Sequence, residues 1–536
     1  MLLRPAYALA ALAALSGSAR ADDPLHTLID QHVGAAIKSA GVTPAPQADD
    51  ATLVRRLTLD LVGRIPTTTE VDAYVKSDDA NKRATLVDRL IASPGFARHQ
   101  AAQFEVMLNP DGGGRRGGAA LGEYLRGAMT AGKSWDRVYR ELMLPDESDA
   151  TMKGAADFLK ARLADPDKLT NDVSVSFFGV NVSCAQCHDH PLVKDWTQDH
   201  FYGMKAFLVR TYDAGGMLAE RGFGLAKHKA NKGPEKVAPM MFLTGTKLDD
   251  PTAREMTKEE QKKEKELVEA SKKEKKAPPP PAFSARARLV EVSLKDGNAD
   301  FFARSIVNRM WHRFLGSGFV NPLDQMHSEN PPSHPELLAA LAKDTAAHGY
   351  DLKRLVSGIV MSQTYSRSSH YPTEATPDRR LFAVAALKPF TPLQLSTSLK
   401  IAAADPAQFE GKKAAEFEKL VEQMEGGGRG FASLIAQPTD NFQVGVGEAL
   451  LFSNGDRVTR EFLTDGGNTV LGRVKAMTDK KAAVALLVRT AYGRAPTDAE
   501  STALVAYVEG RADRPAEAYR QVLWALVTAP EFRFVY

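Results

Sequence analysis

The stretch TLVRRLTLDLVGRIPTTTEVDAYV (52–75) places apolar Leu53, Leu57, Leu59 and Leu61 inside a helical pattern. The pattern stops at Gly63, and after Pro66 the residues Thr67–Thr69 stand where the cap of the next helix belongs. This punctuation predicts helix, sharp turn and second helix rather than strands. RATLVDRLIAS (83–93) continues the pattern up to Pro94-Gly95, and the mostly helical reading extends from Asp22 to about Phe223.

Beyond the charged middle of the chain the signature returns. In NADFFARSIVNRMWHRFLGSG (298–318), Phe302, Ile306, Met310 and Phe314 fall near one face and Gly316 ends the run. PELLAALAKDTAAHG (335–349) opens on proline and stops at glycine, and DLKRLVSGIVMSQTYSRSS (351–369) has Asp351 as its cap. KKAAVALLVRTAYGRAPTDAESTALVAYVEGR (480–511) and PAEAYRQVLWALVTAPEFRF (515–534) complete a run of helices suited to antiparallel packing. Period-two strand signals are few, and no repeat of fixed period is evident. The expected fold is mainly α, with two helical domains joined by a charged and Pro-rich linker.

The domain boundaries follow from composition. The first helical domain spans 22–225 and the second 283–536. Between them, 226–282 holds TKEEQKKEKELVEASKKEKK (257–276) followed by PPPP (278–281), the pattern of a solvated helix or tether and a stiff spacer. The glycine cluster DGGGRRGG (111–118) lacks the Lys-Ser/Thr ending of a phosphate-binding loop and reads as an ordinary loop.

At 536 residues, with 43% hydrophobic and 25% charged residues, the chain matches globular averages, which excludes a wholly disordered or multi-span membrane protein. Residues 1–21, MLLRPAYALAALAALSGSARA, carry Arg4, an apolar run from Ala6 to Leu15 and a small-x-small Ala19-Arg20-Ala21 site. This is the form of a secretory signal peptide, and its apolar run is short of the ~20 residues that span a membrane. Periplasmic or extracellular location is therefore expected, with no membrane span after cleavage. Taking Arg4 and Arg20 from the 69 basic residues leaves 67 against 66 acidic ones, a balance that offers no electrostatic case for nucleic acid.

The two cysteines, Cys184 and Cys187, stand three apart with His188 immediately after, an arrangement that arises by chance about once in ten thousand such compositions. Cys-x-x-Cys-His is the attachment sequence for c-type haem. Two thiols at this spacing form thioethers to the vinyl groups while the adjacent histidine reaches the iron. On this reading Cys184, Cys187 and His188 bind haem c, and His200 and Met204 are the nearest candidates for the sixth ligand. His99, His228, Met217, Met240 and Met241 could also supply it through the fold. A zinc site of Cys184, Cys187, His190 and His200 would be a closed tetrahedral clamp. A thioredoxin-type redox pair, a plain disulfide, and an open catalytic metal site of His190, His200 and Asp199 are further readings of the same segment. Asn308, Arg309, His312, Asn330, Ser333 and His334 stand out as polar residues in apolar surroundings; they read as caps and buried helix-to-helix hydrogen bonds, with a second site or a domain contact as the other reading. The sequence contains no Gly-x-Ser-x-Gly elbow, His-Glu-x-x-His helix or EF-hand loop.

FFGVNVSCAQCHDHPLVKDWTQDHFYG (177–203), LVRRLTLDLVGRIPTTTEV (53–71), DFFARSIVNRMWHRFLGSGFVNPLDQMHSENPPSHPELL (300–338), YDLKRLVSGIVMSQTYSRSS (350–369), AYGRAPTDAE (491–500) and WALVTAPEF (524–532) are spread along most of the mature chain. In these blocks the chain resembles the planctomycete-type cytochrome-c-like proteins, in which two domains of unknown function occur in tandem. The resemblance implies export, a helix-rich architecture and Cys184, Cys187 and His188 as signature residues. Many such relatives carry an additional N-terminal cytochrome-like domain, which this chain lacks. The resemblance also implies an extracytoplasmic partner, redox or sulfatase-like. The expected function is an exported c-type-cytochrome-like protein with one covalent haem, in electron transfer or haem-dependent oxidation. The alternative is a non-enzymatic binding or assembly module in which CAQCHDH is a zinc or disulfide clamp.

Overall fold

A computed structural model describes residues 24–110, 118–229, 234–438 and 443–536. The leader segment 1–21 and most of the 111–118 glycine cluster lie outside the described residues. The protein is mainly α, with 24 α-helices among the described residues and only short antiparallel strand pairs. None of the described helices is long and apolar enough to cross a membrane.

The helix Asp50–Val62 starts where Asp49 accepts a hydrogen bond from the Thr52 amide at 2.7 Å, and ends at Gly63 in the left-handed region, φ +73°. A Cβ at Gly63 would lie 2.4 Å from Nδ1 of His99, so glycine is required there twice over, by backbone and by space. Thr67 and Glu70 then form the capping box of Thr68–Val75, the turn-and-cap order that the sequence predicts. Ser93 caps Pro94–Leu108, and Asp351 caps Leu352–Met361.

The helix Ala299–Leu315 buries Phe302, Ile306, Met310 and Phe314 and stops at Gly316, φ +78°. The expected run at 480–511 is two helices, Lys480–Tyr492 and Asp498–Glu509, because Gly493 turns left-handed at φ +74°. Within 226–282, short strands occupy Ala226–Lys229, Glu235–Ala238, Met240–Met241 and Lys247–Leu248. The charged tract is the helix Lys258–Glu274, of which only Ser271 is buried, as a solvated helix should be.

Two hydrophobic cores organise the molecule. The first gathers residues from Leu25 to Ala383 around an aromatic knot in which the Tyr139 ring lies 4.6 Å from Phe177 and 5.0 Å from Phe302. The second gathers Phe390 to Val535, together with Leu59 and Ile65 from the N-terminal part. Helices of the second sequence domain, from Ala285 to Met361, thus pack into the first core, because their apolar faces meet those of Leu25–Ser39, Lys82–Ala92 and Gln198–Leu208. Asp50–Val62 serves both cores: Leu53, Val54, Leu57 and Leu61 face the first, Leu59 the second.

That position buries charge. Arg55 donates to the carbonyls of Ala491 at 3.0 Å and Phe532 at 3.3 Å. Arg56 donates to those of Arg367 at 2.8 Å and Tyr536 at 2.9 Å, and to that of Tyr365. Arg55 therefore stitches the helix to backbone of the C-terminal helices, and Arg56 to the loop after Leu352–Met361 and to Tyr536, which offsets part of the cost of their desolvation.

Candidate functional site

The helix Pro166–Val173 runs into a wider π-type turn, Ser174–Phe178, whose Phe177 and Phe178 are fully buried. The chain then reverses at Gly179, and a short 3-10 turn covers Ser183–Gln186. Its start is fixed by side chains: Asn171 accepts from the Val182 amide at 2.9 Å, and Asn181 accepts from the Ser183 amide at 3.1 Å and hydroxyl at 2.6 Å. Val182 and Ala185 point into the core and are fully buried, while Cys184 and Cys187 are exposed free thiols on the outer side. His188, also exposed, completes the outer group.

Hydrogen bonding assigns the histidine tautomers around this turn. Nδ1 of His188 lies 2.7 Å from the carbonyl oxygen of Asp189, which can only accept, so Nδ1 carries the proton and Nε2 keeps its lone pair. His190 is the reverse: its Nδ1 accepts from the amides of Leu192 at 3.2 Å and Val193 at 3.0 Å. His200 is also reversed, its Nδ1 accepting from the Thr197 amide at 3.3 Å and facing the Thr197 hydroxyl at 2.9 Å as part of the cap of Gln198–Leu208. In neutral His190 and His200 the proton sits on Nε2, so neither ring offers a free lone pair to a metal. His200 is half-buried, and that desolvation holds its pKa below the ordinary histidine value.

The remaining candidates are dispersed. Met204 is fully buried on the core side of its helix, and Met240 and Met241 are buried too. His228 stacks on Tyr202, ring centroids 4.5 Å apart, with Asp199 3.7 Å away. His99 lies in another part of the molecule, against Gly63. Met217 is half-buried beside the strand Leu218–Glu220. Among the described residues no three or more His, Cys, Asp or Glu side chains are grouped so as to hold a metal ion. The set Cys184, Cys187, His190 and His200 is therefore not assembled as a tetrahedral site, nor is His190, His200 and Asp199. Cys184, Cys187 and His188 do share one exposed turn.

A second feature involves Arg309 and His312, two of the polar residues singled out in the sequence. A cavity of about 790 Å³ lies where the two cores meet, lined by Asp60, His99, Arg309, His312, Arg313 and Lys388 among others. Arg309, His312 and Arg313 come from Ala299–Leu315, where Arg309 and Arg313 flank the apolar face, one heptad after Phe302 and Ile306, and His312 lies further round the helix. Burial pulls Arg309 down to about 10 and Arg313 down to about 9, with Asp324 and Asp60 respectively pulling the other way. Burial, with the cations of Arg313 and Lys388 adding to it, holds His99 well below the ordinary histidine value. Asn308 behaves as expected: its amide donates to the Val320 carbonyl at 2.8 Å and accepts from the Val320 amide at 3.0 Å, fixing the turn after the helix. Asn330 donates to the carbonyl of Gln325 at 3.0 Å, and buried His334 faces the Ser333 hydroxyl at 3.1 Å, both structural roles.

Fold and site together define a mainly helical, two-domain protein that displays a Cys-x-x-Cys-His turn at its surface. Residues 28–213 match the family model PSCyt2, a protein of unknown function (DUF1549), and residues 285–433 match PSD1, a protein of unknown function (DUF1553), so the chain carries these two domains in tandem. No curated protein and no solved structure matches the chain.

Proposed function

We propose that the protein is an exported haem c carrier that serves electron transfer or haem-dependent oxidation, with Cys184 and Cys187 as the covalent anchors and His188 as the axial ligand. The carrying observation is the 2.7 Å contact of His188 Nδ1 with the Asp189 carbonyl, which leaves Nε2 as a lone-pair donor on the same exposed turn as two free thiols. Ligating histidines ordinarily donate their other ring N–H in this way. Bound there, haem would supply a one-electron couple whose potential depends on its axial ligation. His200 Nδ1 accepts from the Thr197 amide and Met204 is buried in the core, and a redox or sulfatase-like partner would meet the exposed turn. A leader of the form seen at 1–21 would take the chain to the compartment where thioether attachment occurs.

The test is export of the full chain in a host with cytochrome c maturation machinery, followed by oxidised and reduced spectra, a pyridine haemochrome and elemental analysis. One thioether haem per chain, lost in the Cys184→Ser/Cys187→Ser variant, is the expected result. Folded, exported protein holding no iron and one zinc would overturn it and make CAQCHDH a clamp in a binding module.

A further inference from the structure

The cavity between the two cores stands apart from the Cys-x-x-Cys-His turn and takes no part in the haem reading. Among the described residues five cationic side chains line it, Arg309, Arg313, Arg379, Arg380 and Lys388, against one carboxylate, Asp60. Four of the five are occupied. Lys388 holds both oxygens of Asp60 at 2.7 Å, and Arg380 pairs with Asp378 at 3.0 Å. Arg309 donates to the Val175 carbonyl, and Arg379 to that of Gly316 at 3.3 Å.

Arg313 differs. Among the described residues its guanidinium makes no hydrogen bond, and its Nη2 is shut off from solvent without an acceptor. Among the described residues the carboxylate that acts on Arg313 is that of Asp60, already taken by Lys388 and by the Tyr365 hydroxyl at 2.9 Å. Arg313 is half-buried: Nη2 is enclosed, while Nε and Nη1 are left without a protein acceptor and open to the cavity, and a guanidinium remains charged under all ordinary conditions. The opposite wall is apolar, with Phe104, Met107, Leu323 and Phe534. A pocket of several hundred Å³ with mostly apolar walls and one convergent unpaired cation is the form of a small-molecule site.

We infer that this cavity binds a small organic anion, with Arg313 as the anchor of its carboxylate or phosphate head group and the apolar wall receiving its body. Arg309 and Lys388 act at longer range by keeping the potential positive. His99, held neutral, adds a polar ring without adding charge.

Calorimetric titration of the purified full chain with hexanoate, hexyl phosphate and hexanol tests this directly. At least one of the two anions should bind, and hexanol, which has the same body without the charge, should bind at least tenfold more weakly. The tighter of hexanoate and hexyl phosphate identifies the head group. Arg313→Met should weaken binding at least tenfold while leaving the ligand-free melting temperature unchanged or higher, because it removes a half-buried charge that makes no hydrogen bond; a merely structural arginine would lower it. Leu387→Glu, at an exposed position on the rim, should also weaken binding at least tenfold without altering the fold. Equal binding of hexanol, failure of both anions to bind at millimolar concentration, or undiminished affinity in both variants would overturn the inference.

Discussion

Lys388 Nζ sits 2.7 Å from each carboxylate oxygen of Asp60, although 328 residues separate them. The pair joins the helix shared by both cores to the strand Lys388–Pro389, and the Tyr365 hydroxyl completes it. Removing one partner strands the other charge out of water. Asp60→Asn should cost about 3–5 kcal/mol of unfolding free energy. Adding Lys388→Met should cost less than the sum of the single changes, and denaturant titration of all three variants measures the coupling.

Gly63 combines a left-handed backbone with a ring pressed against its Cα. Gly63→Ala should destabilise by more than about 1 kcal/mol, whereas Gly132→Ala, also left-handed but with open space around it, should cost only the backbone strain. Comparing the two melting curves separates the steric part.

Acid should loosen the C-terminal helices first. Arg494 donates to Glu500 at 2.8 Å and to Glu531 at 2.6 Å, and this contact, against partial burial, brings the Glu500 carboxyl down to about 2. A carboxyl with its folded pKa depressed stabilises the fold above its unfolded value and loses that contribution as pH falls from about 4.5 towards 2. Stability of the wild-type chain should drop across this window, and Arg494→Met should be less stable at pH 7 with a shallower drop.

His200 and Met204 can be separated from the haem question. His200→Ala removes a helix cap and should cost about 1 kcal/mol, and Met204→Leu, a near-isosteric core change, should cost less than about 1.5 kcal/mol. Neither should alter the Soret or α bands of haem-loaded protein. A spectral change in either variant would place that residue at the iron.

The helices were legible because their signals are local. Asp49, Thr67, Ser93 and Asp351 cap where sequence rules put them, and Phe302 through Phe314 bury the face their spacing defines. The Cys-x-x-Cys-His turn was legible as a motif, and its surface placement suits the attachment chemistry. What could not be read was set by distant residues. Arg55, Arg56 and Asp60 have the spacing of a wet face, and only the arrival of residues near 365, 388, 491 and 532 makes that face an interior. The stripe Arg309, His312, Arg313 is likewise ambiguous until the second core closes over it. Nor does spacing tell that His190 and His200 accept hydrogen bonds through Nδ1 while His188 donates; that depends on which backbone groups face each ring.

The buried helix Asp50–Val62 also dictates an order of assembly. The carbonyls that receive Arg55 belong to residues 491 and 532, 436 and 477 positions further along the chain. Contacts of such sequence separation form slowly, so for much of its synthesis the chain must carry a helix whose Arg55 guanidinium has no acceptor yet made. A fragment ending before the second core would leave that helix half-clothed, and the two domains, though distinct in sequence, should fold and fail together.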